Sequence, residues 1–219
     1  ASAHDREHGV WGSLWDQCGS GFSCLETPLT GPVTLRQDNS YVPTAPGKLE
    51  HRLFMVREQS TGEQQKIWHT FPQMGIEEES YLGFGCCQGT SSLKLTAARN
   101  DLDSELTVFV PVDDPLEVWR LKLTNKQDSP RRLSLFVAVN WGMESYPGHY
   151  FDPRVVCGGV VLANVNALMA VNNDKKNCHP RHGFLASARP WSRFDMNGES
   201  FRGCGAQDGI PEAVRQGAC

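Results

Sequence analysis

The chain has 219 residues, 39% of them hydrophobic and 21% charged, and a formal net charge of -4. That length supports one sizeable domain or two small ones, and no shift in composition marks a second, so residues 1–219 are read as a single unit. The weak acidity speaks against nucleic-acid binding, which needs a clustered basic face, and no apolar run approaches the ~20 residues of a membrane span.

In chain order, the first 45 residues are Gly-rich and weakly periodic and read as irregular, apart from a strand candidate at 33–36. The N-terminal "ASAHDREHGV" has no apolar core of a signal peptide. Strand candidates follow at 50–57, 66–71, 81–85 and 92–98. In "SELTVFVPV", Leu106, Val108, Val110 and Val112 share one face, with Thr107 and Phe109 on the other. Asp113-Asp114-Pro115 then supplies turn chemistry. In "LEVWRLKLT", Trp119, Leu121 and Leu123 lie opposite Val118, Arg120 and Lys122. After the turn "NKQDSP" at 125–130, Leu133, Leu135, Val137, Val139 and Trp141 line one side of a third run. The short linkers predict that these three runs are antiparallel neighbours. Phe109, Trp119 and Phe136 oppose other apolar positions, which predicts strands covered on both faces. Further strands are expected at 155–163, 166–172 and 182–188. One helix is expected at 211–216, with Pro211 in its first turn. The pattern is mainly β, a large sandwich of antiparallel sheets with little helix.

Eight cysteines are present. Their spacing is irregular, and Cys86 and Cys87 point to opposite faces of an extended segment. Mostly free thiols in a reducing compartment are expected, with Cys18 and Cys24 the favoured pair should oxidation occur. No N-x-[ST] sequon appears, which agrees with a cytoplasmic location.

The residue types present four kinds of candidate chemistry. Cys178, His179 and His182, with His149, supply zinc-ligand types, but at no familiar zinc spacing, so an ordinary polar loop is favoured and no metal is expected. A mutarotase-like epimerase would need a base, an acid and two histidines in one cleft. Glu144, His149, His179 and His182 offer the types without local evidence of convergence. A cysteine nucleophile at Cys87 or Cys178 has no supporting signature. The remaining kind is sugar contact by aromatic rings. Trp68, Trp119, Trp141 and Trp191 lie in or beside strands, where Trp is more often core. Trp191, in a turn-like stretch with Arg189, Arg193 and Asp195, is the best exposed candidate, with Trp68 the second. No catalytic residue and no cofactor are assigned.

The segment from Leu106 to Asn125, followed by "PRRLSLF" from Pro130, resembles the N-terminal domain of the glycoside hydrolase family 94 phosphorylases, a family that includes cellobiose and chitobiose phosphorylases and part of cyclic β-1,2-glucan synthases. "STGEQQKIWHTFPQ" at 60–73 and "FDMNGESFRGCGAQDGIPEAVRQGA" at 194–218 are similar to two further family stretches in the same order. The resemblance covers the chain from about residue 50 on. It implies a galactose-mutarotase-like β-supersandwich that precedes an (α/α)6 catalytic barrel, where an Asp general acid and a phosphate site perform inverting phosphorolysis of a β-glucoside. It implies further C-terminal strands beyond this chain. It also implies that the chain is a non-catalytic module in contact with carbohydrate, a β-linked glucose oligosaccharide, or with a catalytic domain, compatible with a homodimer. A free-standing lectin-like protein is the alternative. Three positions depart from the family pattern: Asn140-Trp141 replaces Glu-Trp, residues 84–90 lack the family's His and Tyr, and Met196-Asn197-Gly198-Glu199 lacks its Arg.

Overall fold

The computed structural model describes residues 11–15, 21–25, 52–59, 66–72, 80–141, 157–172, 181–203 and 210–217. Its strands are β1 (Trp11–Trp15), β2 (Gly21–Leu25), β3 (Arg52–Glu58), β4 (Lys66–His69), β5 (Leu82–Gln88), β6 (Ser92–Arg99), β7 (Leu102–Phe109), β8 (Val118–Asn125), β9 (Leu133–Val139), β10 (Cys157–Leu162), β11 (Ala167–Asn172) and β12 (Arg181–Ala186). Two short helices follow, α1 (Gly198–Arg202) and α2 (Glu212–Gln216). All pairings are antiparallel. They form the hairpin β1-β2, the sheets β4-β3-β9 and β10-β11-β12, and the sheet β5-β6-β7-β8.

Period-two alternation builds the four-stranded sheet. Leu102, Ser104, Leu106 and Val108 are buried on β7, while Asp103, Glu105 and Thr107 share the other face. The tight connection from β6 uses Asn100 and Asp101, both at positive φ (52° and 54°). Two consecutive left-handed residues make a turn whose twist matches the strands it joins. The buried face meets β3. Phe54 packs with Leu95, Leu106, Val108, Phe71 and Tyr81, and Val56 packs with Trp68 and Leu102. The opposite face of β3 is also covered. Leu53 and Met55 lie under Phe201 of α1 and Ala213 and Val214 of α2. Three layers result, and the five residues from Arg52 to Val56 are all buried. Each large apolar side chain so buried contributes ~1.5–3 kcal/mol, which fixes the register of β3 in both layers.

Four expectations change. First, β9 pairs with β3 and not with β8, so the third alternating run crosses to the other sheet. The Asn125 side chain braces the intervening turn, its Nδ2 donating to Ser129 O at 2.8 Å and its Oδ1 accepting from Gln127 N at 3.2 Å. Arg131 then anchors the chain on Glu58 of β3. Second, cover on both faces holds for β3 and for Phe136 of β9, but not for β7 and β8. Phe109 is 39% exposed, and Arg120 and Lys122 face solvent opposite Trp119 and Leu121. Third, the opening segment contains a paired hairpin, β1-β2, where irregular chain was expected. Fourth, α1 was not foreseen. At five residues it is too short for a helical period, and it is set by the Asn197 side chain, which accepts from Glu199 N and Ser200 N. The helix at 211–216 is present as α2, with Gly217 (φ 70°) closing it. The strand candidate at 33–36 lies outside the described residues.

The Arg131–Glu58 pair is bidentate, Nε to Oε1 at 2.7 Å and Nη2 to Oε2 at 2.8 Å, and Arg131 Nη1 also donates to Asn100 O at 2.7 Å. The hydrogen bond from Arg131 holds the Glu58 carboxyl below its ordinary value of 4.5, against a smaller opposing effect of burial. A lowered folded value stabilises the fold above the ordinary value, and that contribution is lost as pH falls through the folded value. Glu58→Gln is therefore expected to cost about 1–2 kcal/mol at pH 7. In urea titrations across pH, its deficit against the parent should shrink below the ordinary carboxylate value of 4.5 and vanish in stronger acid. A deficit independent of pH would show that the charge plays no part.

Candidate functional site

Trp191 is held by one residue. Between β10 and β11 the chain makes a 3-10 turn, Ala163–Val165, and then Asn166 adopts the left-handed conformation at φ 49° and ψ 50°. Asn tolerates that region because its short polar side chain bonds locally. Here the side chain reaches across to the stretch after β12. Its Nδ2 donates to Ser187 O at 2.7 Å and to Arg189 O, and its Oδ1 accepts from Trp191 N at 3.2 Å. The Asn166 carbonyl accepts from Ser187 N at 3.1 Å and from the Trp191 indole Nε1 at 3.2 Å. The indole N–H is thus used internally, and the ring is half-buried. Arg189 and Arg193 are exposed on either side of it in sequence, and Val165, Phe194 and Met196 stand 57%, 43% and 39% exposed.

Asp195 has a different task. Its Oδ1 accepts from Asn197 N at 2.7 Å, shaping the entry to α1, so the carboxylate belongs to a cap. Trp68 does not join the group. It is 2% exposed, packed with Val56 and Leu102 between the two sheets, and its ring has no open face for a sugar. Trp119 and Trp141 are likewise packing residues. Trp119 meets Trp15 edge-on at 6.2 Å and Phe54 at 5.3 Å, and the Trp141 ring lies so close over Gly183 that a Cβ there would sit 2.6 Å from it. His182 is exposed on β12. Glu144, His149, Cys178 and His179 lie outside the described residues, as does Cys18. Among the described residues no three His, Cys, Asp or Glu side chains group to hold a metal ion. Cys86 and Cys87 are exposed thiols, and Cys24 is a buried thiol donating to Gly12 O at 3.6 Å. No helix of the described residues is long and apolar enough to cross a membrane.

A second polar centre escaped sequence reasoning. Arg52 and Glu117 form an ion pair, Nε to Oε1 at 3.1 Å, with side-chain exposures of 0% and 6%. The guanidinium lies 3.9 Å from the centre of the Trp15 ring and 5.8 Å from that of Trp119. It also donates to Ser23 Oγ. Glu117 accepts from the Trp119 indole at 2.8 Å and from Ser13 Oγ. Ser13, Trp15 and Ser23 all belong to the hairpin, so this centre clasps β1-β2 to the sandwich. Closed to solvent, it admits no substrate and acts as a fastening. The sequence carried a faint signal: Arg52 is in phase with Phe54 and Val56, and Glu117 with Trp119, so two opposite charges sat on apolar faces.

Stacked antiparallel sheets, with α1 and α2 laid on the outer face of one of them, make a layered β-sandwich. The chain matches the family model of the glycosyl hydrolase 94 supersandwich domain over residues 8–219, and it belongs to that family. It is similar to solabiose phosphorylase of Paenibacillus borealis, 25% identical over 171 residues, and to 3-O-beta-D-glucopyranosyl-beta-D-glucuronide phosphorylase of the same organism, 25% identical over 174 residues. Each match covers 77% of this chain and 21% of the relative, so the chain spans about a fifth of the length of the curated relatives it matches.

Proposed function

We propose that this chain is the non-catalytic β-sandwich module of a cytoplasmic glycoside phosphorylase or glucan synthase-like enzyme, where it braces and contacts a neighbouring catalytic domain. The observation that carries this reading is the stapled surface at Asn166. The turn at Asn166 and the 187–191 stretch are tied together, and Val165, Phe194 and Met196 beside them in sequence are exposed. Apolar groups presented on a fixed backbone suit contact with another protein surface. The similarity to two phosphorylases over a fifth of their length supports it, because most of such an enzyme then lies outside the matched module. In this reading phosphate attack at the anomeric carbon and protonation of the leaving oxygen belong to the separate helical domain. The isolated chain should consume no phosphate with cellobiose, sophorose or chitobiose, and measurable turnover would refute the reading.

Carbohydrate contact by the same surface is a second reading. It is favoured by the half-exposed Trp191 ring, fixed in place with Arg189 and Arg193 exposed nearby in sequence. Isothermal titration with the same three disaccharides separates the two. Saturable heat that Trp191→Ala abolishes, with the fold intact by circular dichroism, would favour sugar contact. Absence of heat with the parent chain would favour the protein contact.

A further inference from the structure

The stretch Met196-Asn197-Gly198-Glu199 carries a glycine that neither the fold nor the Trp191 surface requires. Gly198 is not at positive φ, and a Cβ built on it would meet nothing nearer than Arg202 Nη2 at 3.6 Å, an ordinary contact. Alanine would favour the helix more. Asn197-Gly198 is the only Asn-Gly pair among the 219 residues, and both of its members are exposed. Such a pair is self-reactive: the backbone nitrogen after the Asn can attack the side-chain amide carbon, and glycine offers no Cβ to hinder it. Asn197 meanwhile holds α1 with two oxygens. Its Oδ1 accepts from Glu199 N at 2.9 Å and Ser200 N at 3.4 Å, and its backbone carbonyl accepts from Phe201 N at 2.9 Å. The Asn197 ψ of 111° turns the Gly198 nitrogen away from Cβ, so the attack needs a rotation about the Cα–C bond that breaks these hydrogen bonds. A five-residue helix is too short to be stable by itself, and such an element opens locally at little cost.

We propose that Asn197-Gly198 is a self-modification site that deamidates when α1 opens and thereby alters the layer over β3. The Gly198 nitrogen bonds to Cγ of Asn197 and gives up its proton, the bond from Cγ to the amide nitrogen breaks, and ammonia leaves a succinimide ring. Water then opens the ring on one of two sides. Cleavage at Cγ leaves aspartate in the normal chain. Cleavage at the main-chain carbonyl leaves isoaspartate, with the chain rerouted through Cγ. The two products act oppositely on α1. Aspartate keeps an acceptor oxygen at the cap and adds negative charge at the start of the helix. Isoaspartate lengthens the main chain by one carbon and turns the carbonyl that accepted from Phe201 N into a carboxylate off the chain. Phe201 then loses the tether that seats it over Leu53 and Met55. The modification stands independently of the inter-domain or carbohydrate role of the module.

Trypsin makes the site readable, because cuts after Arg193 and Arg202 isolate residues 194–202 in one peptide. When the full chain is held in mildly alkaline buffer, that peptide should exchange amide for acid at 197, with aspartate and isoaspartate told apart by electron-transfer fragmentation. Asn125 and Asn164, exposed but followed by Lys126 and Val165, should remain amides over the same time. Gly198→Ala should suppress the change while keeping or raising the melting temperature. In the isoaspartate fraction, amide hydrogen exchange at 199–203 should be faster than in the parent, with the β6-β7 ladder unaltered, whereas Asn197→Asp should keep the parent's protection. Three results would each overturn the proposal. One is an Asn197 that stays an amide in the folded chain after the free 194–202 peptide has converted fully. Another is conversion of Gly198→Ala at the parent rate. The last is isoaspartate chains whose α1 keeps its protection.

Discussion

Replacing Arg52 by Met is expected to cost about 3–5 kcal/mol, the usual price of leaving one member of a buried ion pair without its partner. For a chain of this size that corresponds to a fall in melting temperature of roughly 6–20 °C. The loss does not measure how favourable the pair is. Arg52 and Glu117 both had to leave water, and their attraction offsets that cost only because Trp119, Ser13 and Ser23 complete the hydrogen bonding and Trp15 covers the guanidinium. Without Arg52 the carboxylate stays shut in, with the Trp119 indole and the Ser13 hydroxyl as donors. The double variant Arg52→Met with Glu117→Leu should therefore recover a large part of the loss, because an apolar pair needs no compensation. Thermal scans of the two single variants and the double variant close the cycle. Hydrogen exchange adds a spatial check: in Arg52→Met, residues 11–15 and 21–25 should lose protection ahead of the sheets, since the clasp holds that hairpin. A double variant no better than the single would place the loss in packing and not in uncompensated charge.

The alternation of Leu106, Val108, Trp119 and Leu121 was legible because burial on one face imposes a period of two, and the strands it predicted are present with small shifts at their ends. Sheet membership was not legible. The turn at 125–130 has the length of a hairpin connection, yet the chain leaves β8 for β3, and what directs it is a distant partner, Glu58, that no local pattern reveals. The hairpin β1-β2 was hidden for a related reason. Its polar residues Ser13 and Ser23 are satisfied by Arg52 and Glu117, far away in sequence, so its faces never showed an apolar rhythm. At the candidate site, Trp191 and Arg189 were visible as residue types, but Asn166, which ties both to the β10-β11 turn, read as a break in an apolar stretch. Its meaning lies in a left-handed backbone and five hydrogen bonds to the 187–191 stretch, and neither is encoded in spacing.

Trp68→Ala is expected to cost about 3–5 kcal/mol, the range for truncating a large aromatic in a core that relaxes only in part. Trp68 is 2% exposed and fills the space between Val56 on β3 and Leu102 on β7, with Leu123 and Leu133 against the same cluster. The guanidinium of Arg131, itself fixed by Glu58, lies 6.0 Å from the centre of its ring. Truncation would therefore open a cavity where the two sheets meet and loosen the Arg131 anchor that carries the chain from β8 to β9. Trp68→Phe keeps an apolar ring in that space and should lose much less. Trp191→Ala removes a half-exposed ring outside the sandwich core and should lose less again. Urea midpoints for the three variants, compared at a common slope, give the order directly. If Trp68→Ala kept the midpoint of the parent and instead abolished disaccharide binding, Trp68 would be a sugar platform after all, and the two sheets would owe their contact to other side chains.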